Sequence, residues 1–252
     1  MTQRAVLVLG MHRSGTSSVA RGLQSLGVDL GGHLLAGNEW NEKGYFEHED
    51  VVPLNDYLLR LLGFRWDSVQ SPTWQQLEQM SDVLGGRARR LLEQDFSSRP
   101  VWGLKDPRIS RLLPFWQPVI RSLGVSDEYI LVLRHPLAIA DSLYRRNGIA
   151  LREACCLWLM HMHSVLRDVT GRPLCVVDYD ALVTEPEAQI KRLACLLDLP
   201  LDDDTETAIN AYANTFVDPG LCHASYSVAD LLEHTFIPQP VKSYFLGLRE
   251  MA

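Results

Sequence analysis

The stretch that most constrains this chain lies at its start. Residues Ala5, Val6, Leu7, Val8 and Leu9 form an unbroken apolar run. It is too short for a helix and does not alternate with polar residues, which is the pattern of a parallel strand buried on both faces. Gly10 ends the run, and Ser14-Gly15-Thr16-Ser17 leads into a segment with Val19, Leu23 and Leu26 at helical spacing. Strand, glycine-bounded loop and helix N-terminus, in that order, make an anion cradle. The loop amides converge, and the first-turn N–H groups of the helix have no intrahelical acceptor and carry the positive end of its dipole.

The spacing from Gly10 to Gly15 is that of a P-loop, but the lysine expected after the second glycine is replaced by Thr16. The only cation in the loop is Arg13, two residues before Gly15. The rest of the chain alternates in the same style. Short strands are expected at residues 100–105, 128–133 and 174–177. Helices are expected around Leu54 to Leu62, at residues 77–92 with a break at Gly85-Gly86, at 110–123 interrupted by prolines, from Pro136 onward, and at 152–169 and 186–197. Weaker helical patterns lie at 205–213 and 228–234. This alternation predicts an α/β fold, a three-layer sandwich with a central parallel sheet of P-loop NTPase-like type. One domain over residues 1–252 is expected, with its core at about 5–200 and an irregular or helical C-terminal extension at 201–252. Ligands of such sheets bind at the carboxyl ends of the strands. Arg13, Lys105, Arg134 and Tyr179 all follow strand ends, so the fold would gather them at one edge.

Composition narrows the partners. The 252 residues carry a formal charge of −7, which argues against bulk binding to nucleic acid or an anionic membrane while leaving room for a local basic site. The five cysteines show no paired or metal-ligand spacing, as expected of buried thiols in a reducing compartment. Residues 1–20 lack the apolar core of a signal peptide, and no run approaches the length of a membrane span. A cytoplasmic protein without a transmembrane segment is expected. His161 and His163 fall on a helix with a wide apolar face and read as structural residues, and Arg87, Arg89 and Arg90 as a solvated face.

Three cations and a phosphate cradle at one sheet edge suggest a polyanionic nucleotide. P-loop kinases move a phosphoryl group with the loop lysine and Mg²⁺ held partly by a strand-end aspartate. This chain lacks the lysine, although Asp106 and Asp178 stand at strand ends. A sulfuryl group carries less charge, and its transfer needs positioning and fixed cations but requires no metal. Arg13 and Lys105 would supply that field.

Four separated segments resemble the sulfotransferase superfamily, which uses 3′-phosphoadenosine 5′-phosphosulfate (PAPS) and releases 3′-phosphoadenosine 5′-phosphate (PAP). His12-Arg13-Ser14-Gly15-Thr16-Ser17 is similar to its 5′-phosphosulfate loop. Lys105-Asp106-Pro107 resembles the segment whose lysine binds and polarises the transferring sulfate. Leu133-Arg134-His135-Pro136, with Ser142 eight residues after Arg134, resembles the element that clasps the 3′-phosphate. Val177-Asp178-Tyr179-Asp180-Ala181-Leu182 is similar to a Tyr-Glu-x-Leu segment, with Asp180 in place of the glutamate. The resemblance implies a sulfotransferase fold over residues 5–200. It also implies a nucleotide site of His12, Arg13, Ser14, Gly15, Thr16, Ser17, Arg134, Ser142 and Tyr179, and catalytic roles for Arg13 and Lys105. A proton acceptor for the attacking hydroxyl is needed as well. The segment from Asn41 to Glu47 resembles one in bacterial members and makes Glu47 the first choice, with Glu39 and Asp106 as alternatives. The implied acceptor is a hydroxyl on a small molecule, saccharide or lipid-linked glycan, with Trp40, Tyr45, Phe46, Trp66 and Trp74 flanking its side. A P-loop kinase using ATP–Mg²⁺ and a non-catalytic nucleotide-binding module are the competing readings. Asp180, and Cys222 beside His223 where bacterial relatives often carry arginine, favour the latter. The acceptor's identity, the adenine contacts and the oligomeric state are not legible in the sequence.

Overall fold

A computed structural model describes residues 3–217 and 226–252; Cys222 and His223 lie outside the described residues. The strands are β1 (Arg4–Leu9), β2 (Val101–Lys105), β3 (Ser126–Leu133) and β4 (Leu174–Asp178). They form one parallel sheet of order β2-β1-β3-β4. The chain leaves β1 for its neighbour on one side and then crosses to the other side for β3 and β4, so the strand order reverses at β1. That reversal is where open α/β sheets leave a crevice at their carboxyl ends.

The apolar run of β1 is explained by two cores, one on each sheet face. Ala5, Leu7 and Leu9 point into one, and Val6 and Val8 into the other, all fully buried. β3 repeats the division, with Tyr129, Leu131 and Leu133 on the first face and Ile130 and Val132 on the second. The second face is covered by α1 (Thr16–Ser25), α8 (Pro186–Leu196) and α9 (Asp203–Ala211), through Val19, Leu23, Ile190, Leu193 and Ile209. The first is covered by α2 (Val51–Leu61), α3 (Trp74–Phe96), α4 (Ile109–Ser122), α5 (Pro136–Asn147) and α6 (Leu151–Asp168). The expected three-layer α/β sandwich is therefore present.

Two expected helix breaks do not occur. α3 runs uninterrupted through Gly85-Gly86. It begins in a capping box in which Thr73 and Gln76 satisfy each other's backbone groups, and Leu77, Leu84, Ala88, Leu92 and Phe96 bury a continuous stripe. α4 likewise contains both Pro114 and Pro118. A proline inside a helix costs about 3 kcal/mol, and burying one large apolar side chain returns about 1.5–3 kcal/mol. Leu112, Leu113, Phe115, Trp116 and Ile120 are all fully buried, so packing outweighs the lost backbone bonds.

Past residue 178 the sequence pattern understates the order. Asp178 caps a short helix, α7 (Tyr179–Thr184), by accepting from the Asp180 and Ala181 amides. α9 continues into a π-helical turn (Tyr212–Phe216), and α10 (Val228–Glu233) and α11 (Gln239–Arg249) follow. α11 buries Val241, Phe245 and Leu248 in the same core as α6. Among the described residues no helix is long and apolar enough to cross a membrane.

Candidate functional site

The loop after β1 is held open by geometry that only glycine supplies at two points. Gly10 adopts φ +150°, and a Cβ there would stand 2.7 Å from Ser14 Oγ and 3.0 Å from the Val132 carbonyl. Its amide donates to Ser110 Oγ at 2.8 Å, and that hydroxyl donates to the Gly10 carbonyl at 3.0 Å, locking the strand end onto α4. Gly15 adopts φ +91°, and a Cβ would fall 2.0 Å from a ring carbon of Tyr179. Gly15 is also the N-cap of α1 and provides no side-chain cap, so the first-turn amides of Thr16 and Ser17 keep their capacity for an external anion.

A cavity of about 250 Å³ opens in front of this loop at the carboxyl edge of the sheet. Its wall includes His12, Arg13, Gly15, Thr16 and Ser17 from the loop and α1, Lys105 from the end of β2, Arg134 after β3, and Tyr179 after β4. The expected convergence of strand-end residues is what the structure displays. Ser14 and Ser142 are not on the cavity wall, but Ser142 Oγ accepts from Arg13 Nε at 2.8 Å. Arg13 has a positive φ of 69°, and its guanidinium also donates to the Trp40 carbonyl at 2.8 Å. Arg134 in turn donates to the Arg13 carbonyl at 2.8 Å and lies 4.6 Å from the centre of the Tyr179 ring. Arg13, Arg134, Ser142 and Tyr179 thus form one connected group. Within it, Arg134 Nε is buried without a partner among the described residues, as are Ser14 Oγ and His12 Nε2 in the adjoining loop.

On the other side of the cavity, Lys105 Nζ donates to Glu47 Oε1 at 2.7 Å, to the Tyr45 carbonyl at 2.9 Å and to Ser17 Oγ at 3.3 Å. Glu47 is buried, and burial pushes its carboxyl above the usual carboxylate range against the opposing pull of Lys105 and Arg108. Arg108 stands 3.6 Å from the second Glu47 oxygen and pairs with Asp106 at 2.9 Å and Asp56 at 2.7 Å. Its own pKa is pushed up, since these carboxylates outweigh the cost of its burial. Of the alternative bases, Glu39 lines the cavity at its exposed rim. Asp106 is fully buried, with its oxygens taken by Asn55 Nδ2 at 2.8 Å and by the Arg108 amide and guanidinium, each at 2.9 Å. Asp178, the other strand-end aspartate, is occupied in capping α7.

The aromatic residues divide. Trp40 and Tyr45 line the cavity, Trp66 packs its ring 4.5 Å from that of His12, Phe46 packs against Phe216, and Trp74 is an exposed residue at the start of α3. Desolvation holds His12 well below the ordinary histidine pKa, so its ring is neutral. His161, buried on α6, sits 6.3 Å from His12 and is pushed down to about 3 by burial. His163 bonds Tyr244 on the exterior, and Arg87, Arg89 and Arg90 are exposed, as expected.

Sequence reasoning missed Ser110, Lys43 and Arg146, and took Arg108 only as an ion-pair partner for Asp106, which it is, at 2.9 Å. Arg108 directly follows the Lys105-Asp106-Pro107 segment, and Arg146 lies four residues after Ser142 on α5, which puts both on one helix face. That spacing was a usable signal. Lys43 and Arg146 join Arg13, Lys105 and Arg134 around the cavity, against the acidic Glu39, Glu42 and Glu47. The site is locally basic in a chain of net charge −7.

No protein-family profile matches the chain, and neither does any curated protein sequence. Solved structures do. The sulfotransferase domain of the Synechococcus olefin synthase superposes with a TM-score of 0.54 over 99% of this chain and 94% of its own, at 16% identity. The fold is the sulfotransferase fold. Sulfotransferase STF1 of Mycobacterium tuberculosis carries the same fold, at a TM-score of 0.53 and 16% identity, over 98% of this chain and 77% of that one. STF9 of Mycobacterium avium matches all of this chain and 77% of its own length, with a TM-score of 0.50 and 17% identity. Within the sulfotransferase fold the cavity described above sits at the carboxyl edge of the sheet, where β1 meets the loop of Gly10 to Gly15.

Proposed function

We propose that this protein transfers a sulfuryl group from PAPS to a hydroxyl group of a small-molecule or saccharide acceptor. The observation that carries the reading is the Glu47–Lys105 pair, 2.7 Å apart, in the same cavity as the Arg134 group and the uncapped helix N-terminus. The donor's chemistry matches what the residues offer. The loop amides and the first turn of α1 suit the 5′-phosphosulfate, and Arg134, with its orphaned Nε, and Ser142 suit a 3′-phosphate.

In this scheme the acceptor hydroxyl attacks sulfur in line. The bond from sulfur to the bridging oxygen of the donor breaks, a bond from sulfur to the acceptor oxygen forms, and PAP departs with the electron pair of the broken bond. Glu47 takes the hydroxyl proton. Its raised pKa makes it a better proton acceptor than an exposed carboxylate, and Lys105 stays beside it to meet charge on the transferring group. Arg13 and the helix dipole face the leaving phosphate. Kinase chemistry with ATP–Mg²⁺ is supported less, because the aspartates at the ends of β2 and β4 are engaged by Asn55, Arg108 and the α7 amides.

Thermal unfolding with PAP and with ATP–Mg²⁺ tests the assignment. At about 100 times its dissociation constant a ligand stabilises by about 2.7 kcal/mol. A shift with PAP is expected, and a shift with ATP–Mg²⁺ alone would overturn the reading. Transfer of label from sulfur-labelled PAPS to a panel of hydroxylated acceptors then tests the reaction itself.

A further inference from the structure

The cavity contains two cations that the proposed donor does not use, Lys43 and Arg146. Arg13 and Lys105 serve the 5′-phosphosulfate and Arg134 the 3′-phosphate, while Lys43 donates to the Phe216 carbonyl. Arg146 lines the same cavity, half-buried, with its guanidinium 5.3 Å from the centre of the Trp66 ring. Its Nε donates to Asn147 Oδ1 at 2.6 Å, and no carboxylate among the described residues pairs with it. Burial lowers its pKa most, and Glu47, the proposed base, and Arg108 beside it are among the charges that act on it. Trp66 is itself held from behind. Arg111, buried on α4, donates to the Trp66, Ser68 and Gln70 carbonyls and to Ser71 Oγ, fixing that loop against the site.

A partly desolvated guanidinium positioned over a fixed indole ring, with N–H groups that no described residue takes, is a receptor for a planar or tetrahedral oxyanion. We infer that Arg146, held in place over Trp66, recognises an anionic group on the acceptor, so that the substrate is a small hydroxylated molecule bearing a carboxylate or phosphate. This rests on the sulfotransferase reading for the meaning of the word acceptor, but the oxyanion site stands on its own geometry. The net negative charge of the chain does not oppose it, because Arg146 lies in a locally basic cavity.

Calorimetric titration with 4-hydroxybenzoate and with 4-hydroxybenzamide, which share shape and hydroxyl but differ in charge, tests the inference. It is run on protein saturated with PAP and on nucleotide-free protein. The benzoate is expected to bind about tenfold to a hundredfold tighter, as charge-assisted bonds to a guanidinium allow. Arg146→Gln should erase that preference, Arg146→Lys should keep part of it, and both should bind PAP as the parent does. Equal binding of the two ligands, no binding of the benzoate, or a preference that survives in Arg146→Gln overturns the proposal. So does a loss of PAP affinity in that variant, which would assign Arg146 to the nucleotide. Failure of PAP to bind the parent protein, with the benzoate preference intact on nucleotide-free protein, would instead overturn the donor assignment alone.

Discussion

The Glu47 carboxylate accepts a hydrogen bond from the Lys105 ammonium at 2.7 Å, and the two side chains are only 8% and 2% exposed. A buried pair of this kind is weak evidence of stabilisation, since desolvating both charges offsets their attraction. In the proposed reaction the pair serves chemistry rather than stability.

Glu47→Gln is expected to bind PAP like the parent and to lose about 10²–10⁴ in turnover, the usual contribution of a positioned base. Unchanged turnover would move the role to Glu39, the other carboxylate alternative that lines the cavity.

The same carboxyl has a pH signature. Burial raises its pKa, and the base form is the ionised one, so kcat/KM should rise with pH through a midpoint above the ordinary carboxylate range. For stability the sign is opposite. A pKa raised in the folded state contributes stability that is complete below the unfolded value and lost as pH rises through the folded value. Removing the nearby positive charge with Arg108→Gln should move the activity midpoint further upward, because Arg108 favours the ionised Glu47. A pH–rate profile of that variant checks both the direction and the identity of the base.

Arg134→Ala should abolish any preference for PAP over adenosine 5′-phosphate in thermal unfolding. A preference that persists would locate the 3′-phosphate elsewhere.

Gly15→Ala puts a methyl group 2.0 Å from the Tyr179 ring at a backbone conformation that L-residues rarely adopt. Loss of nucleotide binding is expected, together with at least about 2 kcal/mol of stability in urea unfolding. Gly86→Ala should do the reverse. Gly86 is exposed inside α3, a Cβ there would meet nothing nearer than an Arg90 nitrogen at 3.8 Å, and a gain of about 0.5–1 kcal/mol is expected.

His161 supplies a test in acid. Its folded pKa is about 3, against an unfolded value near 6.5, so stability is complete above the unfolded value and declines as pH falls. The loss attributable to this histidine should reach about 2 kcal/mol at pH 5. Urea midpoints at pH 7 and pH 5 should therefore differ less in His161→Gln than in the parent.

Much of this was readable before any coordinates, and the reasons are particular. The run from Ala5 to Leu9 is apolar on both faces because both faces are covered, and Gly10 and Gly15 mark a loop whose backbone excludes a Cβ. Strand ends in a parallel sheet share an edge, so Arg13, Lys105, Arg134 and Tyr179 were bound to meet once the strands were found. The breaks expected in α3 and α4 do not occur, because local propensity ignores the core packing that overrides it. Arg146 does not stand out in the sequence, since a charge becomes informative only when its neighbours are known. Arg108 reads from the sequence as a partner for Asp106, and its approach to Asp56 and Glu47 shows only in the fold.

The link from Arg134 to the Arg13 carbonyl, and from Arg13 to Ser142, joins residues of the proposed 3′-phosphate and 5′-phosphosulfate sites in a single bonded chain. These bonds hold the three side chains against one another, so a nucleotide bound across them would cost little further ordering and is expected to bind tightly. High affinity acts on the spent nucleotide as much as on the fresh donor. In the proposed reaction, release of the product nucleotide is then expected to be one of the slow events of each cycle.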